Sequence, residues 1–211
     1  MTAIATIRSL VITQIPLAPD MLIDRTLIEI AREFCVYTRA WRSSVSATVT
    51  ADTLEVALTP PTGGELVDVV KATLDGYPLT KKTQEQLDEL VPKWRTTPAG
   101  SSYITKGDTL NEVLVAPLSS TTYTNGLTVR AAWKPALDAT VLDDMLISNH
   151  SDCLVEGVLG KLFGLPEKPW TSGGLASHYQ ASFEIKKDIA RQQSADGNMK
   201  GVVRKVRYGG L

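Results

Sequence analysis

The sequence predicts an α+β fold, in which the first, penultimate and last helices form a small bundle and an antiparallel β-rich module is inserted after the first of them. Three observations predict this class. Apolar residues recur with a period of 3.6 towards both ends of the chain, they alternate with a period of 2 in the middle, and Pro and Gly residues separate these regions. The 211 residues suffice for one such domain, since a chain of this size buries about 70% of its unfolded surface.

Two extended arms are predicted to flank this domain. We expect an N-terminal arm over residues 1–18, a single α+β domain over 19–195 with the β-rich insertion at about 44–134, and a basic C-terminal docking tail over 196–211. The first arm contains a short apolar run, but Thr13, Gln14 and Pro16 interrupt it and no secretion signal is evident. We therefore interpret it as extended chain.

The first helix of the domain is predicted to begin after Pro19, with Asp20 as its N-cap, and to run for about 20 residues. One face carries apolar side chains at helical spacing, and these predict contact with the core. The opposite face is charged, and it meets either water or a neighbouring subunit. The candidates for contact between subunits are Arg25, Glu29, Arg32 and Arg39.

From Ser44 onwards, alternating apolar residues predict strands. The stretches 45–49 and 54–58 are predicted to form a β-hairpin around Ala51-Asp52, and Asp75-Gly76 predicts a tight turn with positive φ. A short helix is expected at 83–90. The remaining predicted strands are 66–74, 103–105, 110–116 and 127–133.

Helical spacing resumes after Pro135 and predicts a helix over about 142–162, in which Gly157 and Gly160 would let another backbone approach closely. A turn at 164–170 separates this helix from a last one over about 172–194. We expect Lys186 of the last helix to lay its alkyl stem on the core. Together with the first helix, these two complete the predicted bundle.

Charge is distributed unevenly along a nearly neutral chain. The 22 basic and 23 acidic residues give a formal net charge of −1, which argues against a dedicated nucleic-acid-binding domain because such domains carry excess basic groups. Residues 1–195 carry −4 and residues 196–211 carry +3. The tail also contains apolar anchors, which favours a peptide that docks on a partner over a solvated end. Its docking candidates are Val203, Arg204, Lys205, Val206, Arg207 and Tyr208.

No group of residues predicts catalysis, a cofactor or a metal site. His150 and His178 lie outside any nucleophile motif, and Cys35 and Cys153 lack the spacing of zinc ligands. Asp143-Asp144 is interpreted as the start of a helix and not as a catalytic pair of carboxylates. The longest uncharged stretch contains proline and glycine, so we expect no membrane-spanning helix.

A series of short motifs is spaced along residues 19–195. These motifs are Asp24-Arg25, residues 31–35 and 38–42, Asp75-Gly76-Tyr77-Pro78-Leu79, Pro117, Tyr123, Pro135, Glu156-Gly157, Lys168-Pro169-Trp170, Ala176, Tyr179 and Phe183. In this order and spacing, the chain resembles the head-to-tail adaptor (connector) proteins of the virion neck of tailed bacteriophages. No single motif carries the resemblance, because none is chemically distinctive on its own.

The resemblance implies a non-enzymatic structural protein of the virion neck, assembled in the cytoplasm of the host bacterium. It implies a homo-oligomeric ring, commonly of about twelve copies, beneath the portal protein. Such a ring contacts a downstream tail or neck protein and passes DNA without sequence-specific binding. The C-terminal segment of these adaptors reaches into the portal, so residues 203–208 become portal-docking candidates. The N-terminal arm is implied to pack on a neighbouring subunit or on the next tail component.

Three alternatives remain open. Another neck or tail-completion protein, such as a stopper or a tail terminator, differs in whether its first partner is the portal or the tail tube. A small hydrolase would use His150 or His178. A nucleic-acid-binding protein would use the basic tail and would bind DNA in a salt-sensitive manner.

Overall fold

The structure is a computed structural model that describes residues 2–195. The predicted C-terminal tail, 196–211, lies outside the described residues. In chain order the elements are β1 (Thr2–Ala3), α1 (Ile4–Ile12), α2 (Asp20–Thr38), β2 (Arg42–Val49), β3 (Glu55–Ala57), β4 (Gly64–Leu74), β5 (Tyr77–Lys81), α3 (Gln84–Leu90), β6 (Tyr103–Lys106), β7 (Glu112–Ala116), β8 (Tyr123–Pro135), β9 (Val141–Leu142), α4 (Asp144–Phe163) and α5 (Gly173–Ala195). This arrangement confirms the α+β class.

Seven strands form one sheet in the order β2-β8-β4-β5-β6-β7-β3. All neighbouring strands are antiparallel except β5 and β6, which are parallel. The consecutive strands β2 and β3 lie at opposite edges, which would be about 29 Å apart in a flat sheet. The link from Val49 to Glu55 spans at most about 21 Å. The sheet must therefore curl until its two edges approach each other.

The predicted hairpin over 45–58 is wrong, although both of its strands exist. Strand β2 pairs with β8 over most of its length, and β3 pairs with β7. A period of 2 specifies which side of a strand faces the core, but it does not specify the partner strand. The turn at Asp75-Gly76 between β4 and β5 is confirmed, with φ of 49° and 82°.

The segment predicted as an extended N-terminal arm instead contains helix α1, so this prediction is wrong. Ile4, Ile7 and Val11 are buried at helical spacing, and α1 contacts α2 and α4. Pro16, which argued against a helix, lies beyond the end of α1. The residues before Pro16 can therefore satisfy their backbone hydrogen bonds within the helix.

Helix α2 begins at Asp20, but its N-cap is Pro19 and not Asp20 as predicted. The carboxylate of Asp20 accepts a hydrogen bond of 2.7 Å from Arg8 of α1, so it links two helices. The short helix α3 begins with a capping box formed by Thr83 and Gln86. In α4, the Asp143 side chain accepts a hydrogen bond from the Met145 amide, which confirms its interpretation as a helix start.

Helices α2, α4 and α5 pack against one another around two glycines of α4. A Cβ atom added to Gly157 would lie 2.7 Å from Ile30 Cγ2 of α2 and 2.9 Å from Phe183 Cδ2 of α5. A Cβ added to Gly160 would lie 3.1 Å from the backbone nitrogen of Gln180. The predicted close approach at both glycines is confirmed, and it brings all three helices into one layer.

We predict that Gly157→Ala lowers the free energy of unfolding by about 1–3 kcal/mol, because the new methyl group overpacks the contact with Ile30 and Phe183. Gly174→Ala in the first turn of α5 is the matched control. Nothing lies within 4 Å of its added Cβ, so it should be neutral or stabilising by up to about 1 kcal/mol. Urea unfolding followed by circular dichroism measures both changes. Equal stability of Gly157→Ala and the wild type would contradict this account of the helical layer.

Candidate functional site

The four charged residues predicted for contact between subunits lie on α2 or just beyond it, but they face different surroundings. Arg25 has a side chain that is 81% exposed, and its Nε lies 3.2 Å from Glu29 Oε1. Glu29 Oε2 in turn lies 3.3 Å from Nζ of Lys161 on α4. These two candidates therefore form part of an exposed polar surface shared by α2 and α4.

Arg32 points towards the sheet, with a side chain that is only 18% exposed. One of its guanidinium nitrogens lies 3.0 Å from Glu65 Oε2 on β4, and another donates a 2.6 Å hydrogen bond to the backbone oxygen of Pro135. Burial opposes the charged form of Glu65, but Arg32 and Lys134 outweigh it and lower the pKa of this carboxyl. Arg32 therefore joins the helical layer to the sheet within one subunit.

Arg39 follows the end of α2 in the left-handed conformation, with φ of 52°. Its guanidinium lies 3.0 Å from Asp68 Oδ2, and Lys81 pairs with the other oxygen of the same carboxylate. The Arg39 side chain remains half exposed at the mouth of a groove. Of the four candidates, Arg39 and Arg32 line this groove.

The groove is an open depression of about 870 Å³ between the C-terminal ends of α2 and α5 and the adjoining ends of β2 and β8. Six of its lining residues are basic and one, Glu33, is acidic. The basic residues are Arg32, Arg39, Arg42, Lys134, Lys187 and Arg191. Arg39 is the C-cap residue of α2 and can stabilise its backbone carbonyls, whereas Lys187 and Arg191 lie before the last turn of α5.

Lys187 forms the floor of the groove together with Tyr37. Its side chain is 7% exposed, and its Nζ lies 2.9 Å from Glu33 and 2.7 Å from Glu184. Burial opposes the charged ammonium, but the hydrogen bonds that it donates to both carboxylates outweigh this effect and raise the pKa of Lys187. The expectation that Lys186 lies on the core is thus off by one position, because Lys187 is the buried lysine and Lys186 reaches Glu156 at 2.8 Å.

Arg42 and Arg191 differ from the other basic residues of the groove. Within the described residues, neither forms an ion pair with a carboxylate. Arg42 Nε donates to the backbone oxygen of Arg39, and the Arg191 guanidinium lies 4.8 Å above the Tyr37 ring. Burial lowers the pKa of Arg42, and the nearby charges of Arg130 and Arg39 lower it further. Positive charge in the groove is therefore only partly compensated.

The groove residues Arg42, Lys187 and Arg191 were not predicted from the sequence, because Arg42 is distant in the chain from the two residues of α5. The available signal was their position near helix ends. Lys187 and Arg191 are four residues apart in the second half of α5, and Arg42 follows α2 closely. These positions in the sequence do not show that the ends of the two helices converge.

His150 and the two cysteines, which were considered for catalysis or metal binding, are at least partly buried. The His150 ring packs on Phe34 at 4.9 Å, and burial lowers its pKa. Burial raises the pKa of the Cys153 thiol to about 12 and also raises that of Cys35, so both thiols are neutral near pH 7 and are poor nucleophiles. Among residues 2–195, no cluster of three or more His, Cys, Asp or Glu side chains is placed to hold a metal ion.

The docking candidates of the tail, residues 203–208, lie outside the described residues. The tail follows Ala195, which is the last residue of α5 and lines the groove. Within residues 2–195, no helix combines the length and apolar character needed to span a membrane.

We predict that Arg32→Met lowers the free energy of unfolding by about 2 kcal/mol at pH 7, because it removes charged hydrogen bonds to Glu65 and Pro135. Arg25→Met, on the exposed part of the same helix, should change it by less than about 0.5 kcal/mol. The folded pKa of Glu65 lies below its unfolded value, so this stabilisation is present above about pH 4.5 and is lost as pH falls through the folded pKa. Urea titrations from pH 3 to 7 should show the two variants converging in acid. A gap between them that widens in acid would contradict the assigned interaction.

Comparison with known proteins agrees with the resemblance seen in the sequence. No curated protein matches the chain. The model of a protein family described as SU10 adaptor protein matches residues 2–205, which is nearly the whole chain and includes helix α1 as well as the α+β domain. This is a family of structural phage proteins and not of enzymes, and it implies a place in the virion neck between portal and tail proteins. The chain belongs to the SU10 adaptor protein family and is a head-to-tail adaptor of a bacteriophage virion.

Proposed function

We propose that copies of this chain form a ring that joins the portal vertex of the phage head to the tail and continues the DNA channel. The observation that carries this proposal is the family match over residues 2–205. The ring is a homo-oligomer of about twelve copies, which is a closed cyclic assembly of the kind that head-to-tail contacts generate. It contacts the portal on one side and the next tail or neck protein on the other, and it assembles in the host bacterial cytoplasm before incorporation into the particle.

We propose that the four charged candidates, Arg25, Glu29, Arg32 and Arg39, contribute to contacts between subunits at two different places. Arg25 and Glu29 border an open depression of about 470 Å³ that also includes the exposed Met21 and Leu137. A surface that combines exposed apolar side chains with charges is typical of a protein interface. Arg39 contributes at the basic groove, while Arg32 supports the contact from within by fixing α2 on the sheet.

The basic tail has the proposed role of docking on the portal through Val203, Arg204, Lys205, Val206, Arg207 and Tyr208. Its +3 charge contrasts with the −4 charge of residues 1–195, which supports two different partners for the two parts. The acidic body also supports a channel through which DNA slides, because tight binding of phosphates would hinder ejection. DNA therefore passes through without sequence-specific contacts.

The proposed role is non-enzymatic, without a cofactor or a metal. The surroundings of His150 support this proposal, because its ring packs on Phe34 and its pKa is lowered by burial. A general base needs a nucleophile within hydrogen-bond reach, and the neutral buried thiols do not supply an activated one.

Mixing the purified chain with its portal protein tests the proposed function. We predict that electron microscopy and mass measurement show a ring of about twelve copies on the portal. Deleting residues 198–211 should leave the circular dichroism spectrum unchanged and weaken attachment at least about tenfold, because the docking peptide is lost.

Deleting only residues 209–211, which contain two glycines and a leucine, is the matched control and should attach like the full chain. A full-length chain that stays monomeric and never decorates the portal would contradict the ring. Equal attachment by the chain lacking residues 198–211 would contradict the role of the tail alone.

A further inference from the structure

We propose that the basic groove at the ends of α2 and α5 is one half of the contact between neighbouring copies, and that it receives the acidic helix α3 of the next copy. This inference rests on the proposed ring and assigns the surfaces that build it. In this contact, Arg42 and Arg191 in the groove of one copy face Glu85 and Glu89 in α3 of the next.

The charge of the groove favours an anionic partner. Arg42 and Arg191 have no carboxylate at ion-pair distance within residues 2–195, whereas Arg32 and Arg39 each have one and Lys187 has two. The low dielectric of a contact strengthens the attraction of an unpaired cation for an incoming anion. The occupant should therefore bring at least two negative charges, one for each unpaired arginine.

The groove also favours a protein segment over nucleic acid. Val36 and Tyr37 give it an exposed apolar lining, and a protein side chain covers such a surface better than a phosphate backbone does. Glu33, Glu184 and Asp188 lie around the basic residues, two of them paired with Lys187 and the third accepting a hydrogen bond from Tyr37. These carboxylates would repel the continuous row of phosphates in a nucleic acid. A short protein segment can instead place its few carboxylates next to the arginines and away from the acidic residues.

The C-terminal tail of the same chain is a poor occupant, because it carries +3 and the groove is itself positive. Among the described elements, α3 supplies what the groove needs. Glu85 and Glu89 are exposed, form no ion pair within the described residues, and lie four positions apart on one face of the helix. The neighbouring Leu90 is 56% exposed and supplies the apolar group.

Within its own subunit, α3 is held elsewhere. Leu87 is buried with Trp94 and Leu114 in a cluster separate from the main core, and Gln84 donates a hydrogen bond to Asp108. The described residues that line the groove all lie outside α3. One copy can therefore offer its α3 to one neighbour and its groove to the other, which is the head-to-tail contact that closes a ring.

Charge reversal tests this pairing. We expect Arg42→Glu with Arg191→Glu to reduce the fraction of portals that carry a ring at least about tenfold, because like charges then face each other. Glu85→Lys with Glu89→Lys should do the same. An equimolar mixture of the two double variants should recover rings to within about twofold of wild type, since alternating copies then place opposite charges at every contact. Light scattering and electron microscopy after incubation with the portal give the readout.

The control is Lys71→Glu with Lys168→Glu, which reverses two exposed lysines outside both surfaces and lowers the net charge by as much as the groove variant does; it should assemble normally. Normal rings from either groove or α3 double variant, or no recovery in the mixture, would overturn the pairing. Normal rings from the groove variant together with loss of salt-sensitive duplex DNA binding would overturn it in favour of nucleic acid. If wild type itself forms no ring, the proposed function fails together with the pairing; if only the pairing fails, wild-type rings remain.

Discussion

Helices α2, α4 and α5 meet at Gly157 more closely than any residue with a Cβ atom permits, since such an atom would lie 2.7 Å from Ile30 and 2.9 Å from Phe183. This approach fixes α5 against α2 along their length. Lys187 and Arg191 follow Phe183 at intervals of four residues, so they lie on the same side of α5 one and two turns further on. There they meet Tyr37 near the end of α2. The basic groove is thus a consequence of helix packing around a glycine.

The helical layer and the sheet are joined by buried polar contacts as well as by apolar packing. Arg32 reaches both Glu65 and the backbone of Pro135, and it orients the end of α2 relative to β4 and β8. Helix α3 packs on β7 in a cluster separate from the main core. A single chain presents a positive groove and a negative helix that do not share residues, so both surfaces are available for the proposed head-to-tail contact.

The sequence allowed the α+β class, the long helices and the close approach at Gly157 to be predicted, because helix period, caps and glycine act locally. Pairing of β2 was not predictable in this way, since alternation is satisfied equally by β3 and by β8. The first helix was missed because Pro16 suggested an interruption that falls after the helix has ended. The groove was also missed, because Arg42 and Arg191 are distant in sequence and come together only when two helix ends converge. The predicted candidates Arg25 and Glu29 were found from charge spacing alone, which indicates exposure but not the partner.

The distribution of charge along the chain also supports different partners for its two parts. The near-neutral total is the sum of −4 over residues 1–195 and +3 over residues 196–211. We propose that adjacent copies in the neck meet through the groove and α3, and a density map of the isolated particle neck that resolves side chains would test this contact. We expect a ring in which Glu85 and Glu89 of one copy lie within about 4 Å of Arg42 and Arg191 of the next. A ring whose grooves face solvent or the DNA channel would contradict it.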